Sequence, residues 1–562
     1  MNNKLYKMMD WASIEEVIYS ECDRPREILG THAAGSFTLL QAYFPGASEV
    51  VVEWKENGKP TNNKLEIADD DGFFAVLLPT KDPGAYTYAV TYEERTEGSK
   101  TLKKRVVKCG DPYRFESQLS ANDIAKLNAG TYPAAERKLG AHHMTIDGES
   151  GVYFAVWAPG AIRVSVIGNF NDFDGRTCQM NRKGDSGIFE LFVPYAEIGD
   201  QYQFELKLHG GVIRKVSDPY AKGCAGEGMS VVVSEDNYKW TDASFIKNRK
   251  SFQKDQNAVS IYEVNPADFI GGGKPAFVNM IDTVIPAAKA MNFTHVELLP
   301  VMERGAGDHD DHRTYSFFAT DHEFGTPDEL KDFVNKLHAE GIGLILDWVP
   351  AYFAPDAHGL ACLDGTCLYE HQDPRQGVCP DTGALIFNYA RPQVHNFLLS
   401  AGLYWAREFH ADGIRTDGVA RMLYLDYARN DGAWVANMYG GNENLDAIDF
   451  IREFNGLLNS KCTGVLSIAE DSSAHPQVTD PAGEGGLGFD IKFNDSFTEE
   501  YFRFIGRDPL YRGQGLTELN NVMTYAFVDK YMLGFHYGHV GKDGKKLLDR
   551  FPGTDEQKEA NL

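Results

Sequence analysis

Between positions 258 and 540 the chain alternates short apolar runs with amphipathic stretches. VSIYEVNP, HVELLPV, GLILDWVP, GIRTD, GVLSIAED, GFDIKF and MLGFHYG read as seven buried strands, while Thr326 to Glu340 and Pro392 to Phe409 repeat their apolar positions with helical spacing. Strands alternating with helices in one series predict a parallel sheet. Seven of them predict an α/β fold, a (β/α) barrel of the TIM type that stops before its eighth strand. The upstream rhythm is different. GSFTLLQAYFPGA, EVVVEW, GFFAVLLP and AYTYAVTYEE, then GVYFAVWAPGA, RVSVIGNFNDFDG, GIFELFVPYA and DQYQFELKLHGG, break at Gly, Pro, Asn or Asp and predict two β-sandwich modules. AYFPGASEVVV in the first and AVWAPGAIRVSVIG in the second are laid out alike, which points to a duplicated sandwich. The predicted organisation is an N-terminal extension (1–24), a first sandwich (25–116), a helical linker (117–131), a second sandwich (132–236) and the barrel (237–562).

Charge narrows the partners. A formal net charge of −26 and a pI near 5.0 argue against nucleic acid and anionic membranes, which such a surface repels, and leave neutral or cationic ligands. No run of about 18 apolar residues occurs, and MNNKLYKMMDWASIEEV carries acids where a signal peptide needs an apolar core. A cytoplasmic protein is expected. The eight cysteines are scattered without a CxxC pair, so free thiols of a reducing compartment are expected. Cys362, Cys367 and Cys379 form the one loose group, and zinc there would still need a fourth ligand such as His358 or His371. The run DHDDH, Asp308 to His312, reads as a solvated loop, because adjacent residues rarely converge on one ion. Neither a metal nor a cofactor is expected.

Candidate chemistry sits where such barrels keep it, at the carboxyl ends of strands. In ADGIRTDGVARMLYLDY, the strand Gly413 to Thr416 delivers Arg415 and Asp417 to one face, and the guanidinium favours an ionised Asp417. Taken alone, this pair reads equally as a structural ion pair. Asp347 closes GLIL, and Glu470 with Asp471 closes GVLSIA. Two such carboxylates about 5–5.5 Å apart are what a retaining glycosidase uses. Asp417 suits the nucleophile, and Glu470, backed by an apolar strand with acids nearby, suits the acid/base.

The blocks THVELLPVME, FGTPDELKDFVNKLHAEGIGLILDWVPA, DAHGLACLDGTCLYEH, LIFNYARPQVHNFLLS, ADGIRTDGVARMLYLDY, YGGNENLDAIDFIREFN and IAED resemble bacterial 1,4-α-glucan branching enzymes of the α-amylase superfamily. The resemblance implies cleavage of an α-1,4 glucan through a glycosyl-enzyme ester and transfer to a sugar 6-hydroxyl, with no metal. It places Asp417 on the nucleophile and Glu470 on the acid/base, and it places Arg415 and Asp347 on positions that hold the nucleophile and shape the first subsite. The second sandwich is similar to a glycogen-binding module, with Phe173 where the family commonly has tryptophan.

Departures accompany the likeness. Tyr352 replaces a histidine after the third strand, and Tyr537 and Gly538 fall on a His-Asp pair after the seventh, with His536 and His539 nearby. Tyr315, Phe317 or Phe318 stand near a missing aromatic segment and are expected to offer a sugar platform. The family's eighth strand and all-β domain are not found before Leu562. Two alternative functions follow: a glucan-binding pseudoenzyme, favoured by Tyr352, Tyr537 and Gly538, and a related glucan hydrolase.

Overall fold

The structure, a computed structural model, describes residues 3–56, 58–95, 102–235, 238–253, 258–305, 313–524, 526–540 and 546–562, so the DHDDH run lies outside the described residues. It divides into two compact units. One holds residues 1–128, 136–237 and 356–368, the other residues 129–135, 238–355 and 369–562.

In the first unit each alternating region makes two antiparallel sheets. The first module pairs Gly30–Ala34, Phe37–Tyr43, Phe73–Leu78 and Glu66–Asp69 in one sheet, and Lys59–Lys64, Ala47–Glu56, Thr87–Arg95 and Leu102–Cys109 in the other. Strand side chains alternate between faces, so Val50, Val52 and Trp54 all point inwards, onto Leu40, Phe74 and Tyr88. The second module repeats the plan, with Asn181–Arg182, Ile188–Val193, Glu149–Trp157 and Gly140–Ile146 in one sheet and Arg163–Gly168, Gln201–Lys207, Ile213–Val216 and Ser230–Val231 in the other. Positions 3–24, expected within an extension, pack into the first module and hydrogen-bond to the second. Helix Trp11–Ile18 turns Ile14 and Val17 to one face, and they join a core with Leu29, Leu39 and Phe73. The segment 356–368, expected within the barrel, groups with this unit.

The second unit is a curled parallel sheet of seven strands, paired in chain order. They are β1 (Ile261–Val264), β2 (His295–Leu298), β3 (Gly343–Trp348), β4 (Gly413–Thr416), β5 (Leu466–Ala469), β6 (Ile491–Phe493) and β7 (Tyr531–Met532). Every residue of β2, β3 and β4 is buried, the condition of a parallel sheet covered on both faces. Helices α1 (Ala276–Ala290), α2 (Pro327–Ala339), α3 (Pro392–Glu408) and α4 (Leu445–Lys461) connect the first five strands. The start of α2 shows why helix follows strand here: Thr326 and Glu329 cap each other's backbone N–H, and Pro327 takes the first helical position. Residues just past the strands therefore gather on one face of the sheet.

Candidate active site

Strands β4 and β5 pair in parallel with Thr416 beside Ala469. The next residues are Asp417 and Glu470, so two carboxylates leave neighbouring strands at one level. A single peptide ties them together: the Gly418 N–H donates to Glu470 Oε2 at 2.9 Å. The Glu470 N–H donates to the Thr416 carbonyl at 2.9 Å and the Val419 N–H to the Glu470 carbonyl at 3.0 Å, which fixes both strand ends. Gly418 has φ 74°, and a Cβ there would lie 3.1 Å from the Ala351 Cβ. A side chain would be strained by roughly 1–2 kcal/mol in that left-handed conformation. Burial first, and the charge of Asp417 second, push Glu470 up to about 7.

Arg415 is the hub beneath them. Its Nη1 donates to Asp347 Oδ2 at 2.7 Å and lies 3.8 Å from Asp417 Oδ1, while its Nε lies 3.6 Å from Glu297 Oε1. Asp347 and Arg415 are register partners across β3 and β4, so the contact follows from the sheet itself. Burial opposes the Arg415 charge, but Asp347, then Asp417, Glu297 and Glu470, outweigh it and keep the guanidinium protonated. Glu297 goes the other way. Burial first, then Asp347, drive it well above the usual carboxylate range.

Other expected residues are placed unevenly. Tyr352 is half-buried at the mouth, its ring under the Arg421 guanidinium at 5.4 Å, and Arg421 in turn binds Asp381 through two 2.8 Å hydrogen bonds. Phe317 is not a sugar platform. It is fully buried on strand Thr314–Thr320, packed on Phe387 and Phe397 at ring separations of 5.4 and 5.6 Å. Phe318 is equally buried, and Tyr315 is 8% exposed. Both faces of this strand are covered, so none of the three rings presents a free face. Asp471 is paired at the strand end, where Lys492 on β6 donates to its Oδ2 at 2.7 Å.

A cavity of about 580 Å³ opens between β1 and β7, lined by Tyr262, Glu263, Asp268, Phe493, His536 and Tyr537 among others. Tyr537 bridges this seam, its N–H donating to Glu263 Oε2 and its phenol to Asp268 Oδ1, both at 3.0 Å. Gly538 has open space around it and brings no charge. His536 Nδ1 lies 3.4 Å from Glu263 and its Nε2 3.7 Å from Asp495, with the ring 3.8 Å from that of Phe493. Burial disfavours its charge, but Asp495 and Glu263 outweigh that and draw it up to about 9. Glu263, Glu297 and Asp495 were missed by sequence reading. Glu263 and Glu297 had a signal, a carboxylate in the middle of the apolar runs IYEV and HVEL; Asp495 opens a polar helix turn and had none.

Residues 10–105 match the family described as alpha-1,4-glucan branching enzyme GlgB, N-terminal domain, and residues 138–221 match Carbohydrate-binding module 48 (Isoamylase N-terminal domain). The chain is 38% identical to the 1,4-alpha-glucan branching enzyme GlgB 2 of Rhizobium etli over 98% of its own length and 74% of that protein. This chain belongs to the 1,4-α-glucan branching enzyme family. Its identity to the branching enzyme GlgB of Nitrosococcus oceani is 43%, over 100% of this chain and 75% of that protein, and to that of Gloeobacter violaceus 40%, over 99% and 75%.

Proposed function

We propose that this protein cleaves α-1,4 glucan and transfers the released chain to a sugar 6-hydroxyl, forming α-1,6 branches by a retaining double displacement. The observation that carries this reading is the Asp417–Gly418–Glu470 arrangement, in which one acid lies beside a fixed cation and the other is pushed up to about 7. Protonated Glu470 gives its proton to the glycosidic oxygen as an Asp417 oxygen attacks the anomeric carbon, and the shortened glucan leaves with a free 4-hydroxyl. A glycosyl ester remains on Asp417. Glu470, now a carboxylate, takes the proton of an incoming 6-hydroxyl, whose oxygen attacks the anomeric carbon and releases Asp417. Arg415, 3.8 Å away, favours the Asp417 anion, and Asp347 holds Arg415 in place.

The partner is an α-glucan of the glycogen or amylose type, held in part by the second sandwich module and requiring no metal. Among the described residues no helix is long and apolar enough to cross a membrane. We place the reaction in the cytoplasm, where free thiols persist and glucan is stored.

Incubation with amylose tests the reading: iodine colour falls without new reducing ends. Colour loss together with reducing ends would mean hydrolysis. A second reading, glucan binding with little turnover, rests on one observation, that Tyr537 and Gly538 supply no carboxylate past β7. Unchanged colour together with retention on glycogen would favour it.

The pH dependence has a definite sign. Glu470 must hold its proton in the first step, so kcat/KM is expected to fall about tenfold per pH unit above about 7, the value to which burial and Asp417 push it. A pH profile of branching measured below substrate saturation checks this, and an alkaline limb starting at an ordinary carboxylate value would contradict it.

A further inference from the structure

Just past β3, Tyr352 and Phe353 pair antiparallel with Ile386 and Leu385. The chain that runs into this pairing makes a tight turn, the Cys379 N–H donating to the Ala384 carbonyl and the Gly383 N–H to the Cys379 carbonyl, both at 2.8 Å, and Asp381 stands on it. Past β4, the short helix Val419–Leu423 follows Asp417, and the Arg421 N–H donates to the Gly418 carbonyl at 3.0 Å. The Arg421 guanidinium joins these segments. Its Nη1 and Nη2 each donate to Asp381 at 2.8 Å, and its carbon lies 5.4 Å from the Tyr352 ring centre and 4.7 Å from that of Tyr427. Gly418 leaves room for Tyr352 to come in: the Cβ it lacks would sit 3.9 Å from Tyr352 Cε1. That same glycine follows Asp417 and gives its N–H to Glu470, so the Tyr352 ring reaches the residue that joins the two acids.

We propose that Arg421 is a positioning residue: anchored on Asp381, its guanidinium holds the Tyr352 ring beside Gly418, where the ring walls the glucose unit that reacts between Asp417 and Glu470. The inference rests on the reaction proposed above. A cation within about 6 Å of an aromatic centre is drawn to the ring, and both separations here meet that limit. The Arg421 side chain is 12% exposed, so water screens little of the attraction. The paired bonds to Asp381 fix the plane of the guanidinium, which a point charge on a flexible stem would not do. Tyr352 is half-buried, and a ring already held in place costs an arriving sugar less ordering than one that wanders about its side-chain bonds. Aromatic faces also give the C–H groups of a sugar an apolar floor. Asp381 takes both Nη donors, so Arg421 acts on the site through the ring.

The experiment uses the full chain with a fluorinated tyrosine at position 352 alone, read by ¹⁹F NMR as maltoheptaose is added. Glucan held on the sandwich modules leaves this signal in place, whereas a chain in the mouth moves it. In Arg421→Met the signal without sugar is expected to shift, and the titration midpoint to rise about tenfold over the parent, the scale of a contact of this kind. On amylose the same variant is expected to raise KM about tenfold and change kcat by less than about twofold, the mark of lost binding rather than lost chemistry. Arg421→Lys, which keeps the cation but not the fork, is expected to fall between the two. A lower kcat at unchanged KM, with no rescue by lysine, would show a merely structural role and overturn the inference. So would a folded Arg421→Met, judged by thermal melting, whose signal and midpoint match the parent, or a parent signal that maltoheptaose leaves unmoved. Should the parent lack branching activity while the midpoint still rises in Arg421→Met, the proposed reaction fails and the positioning role stands. Should Arg421→Met fail to fold, Asp381→Asn, which loosens the guanidinium from an anchor that is 41% exposed, decides: a shifted signal and higher midpoint support the role, and parental values overturn it.

Discussion

Replacing Asp417 by asparagine is expected to abolish glucan transfer, lowering kcat/KM by at least about a thousandfold, or roughly 4 kcal/mol of transition-state stabilisation. The amide is nearly isosteric but cannot form the glycosyl ester, so the pathway loses its intermediate rather than a share of its binding. Fold and glucan retention are expected to survive, because the Asp417 N–H bond to the Trp348 carbonyl at 2.9 Å is a backbone contact that the substitution leaves in place. Iodine-colour kinetics on amylose, with glycogen pull-down as the control, measures both. A variant that branches at the parental rate would remove Asp417 from the nucleophile's position.

Arg415→Met is expected to cost about 3–5 kcal/mol of stability, the range for removing one partner of a buried ion pair. Asp347 is fully buried and Glu297 nearly so, and Arg415 is the cation that binds the first and approaches the second. Without it, Asp347 loses the guanidinium that donates to it and is driven towards taking up a proton. Chemical denaturation of the second unit's transition reads the loss. The double variant Arg415→Met with Asp347→Asn is expected to recover part of it, because the orphaned charge is gone, and a strictly additive result would show that the two side chains are not coupled.

Much of the second unit was legible because its central strands β2, β3 and β4 are buried on both faces. Unbroken apolar runs such as GLIL and LSIA mark such strands wherever they fall, and the first six expected runs carry one, whereas MLGFHYG meets its strand only at Met532 and continues into a helix at Tyr537–Val540. The Arg415/Asp417 pairing was legible for a related reason, since alternate residues of one strand share a side whatever the sheet does around them. Contacts that depend on which strand lies next door were not. Asp471 finds Lys492 because β6 pairs with β5, and nothing local to SIAED announces that neighbour. Phe317 was misread for the converse reason: TYSFFAT is aromatic on both faces, and only the packing of Phe387 and Phe397 reveals that neither face is open. WASIEEVI was passed over because helical periodicity in eight residues is a weak signal beside the strong β pattern that follows.

Because the Gly418 amide grips Glu470 one residue after Asp417, the gap between the two acids is set by a few covalent bonds and one short contact. Bending of the sheet as a whole, or looseness along the β1–β7 seam, is carried past the pair without stretching it. A single methyl group at position 418, by contrast, would meet the Ala351 Cβ at 3.1 Å and strain the turn whose amide holds Glu470.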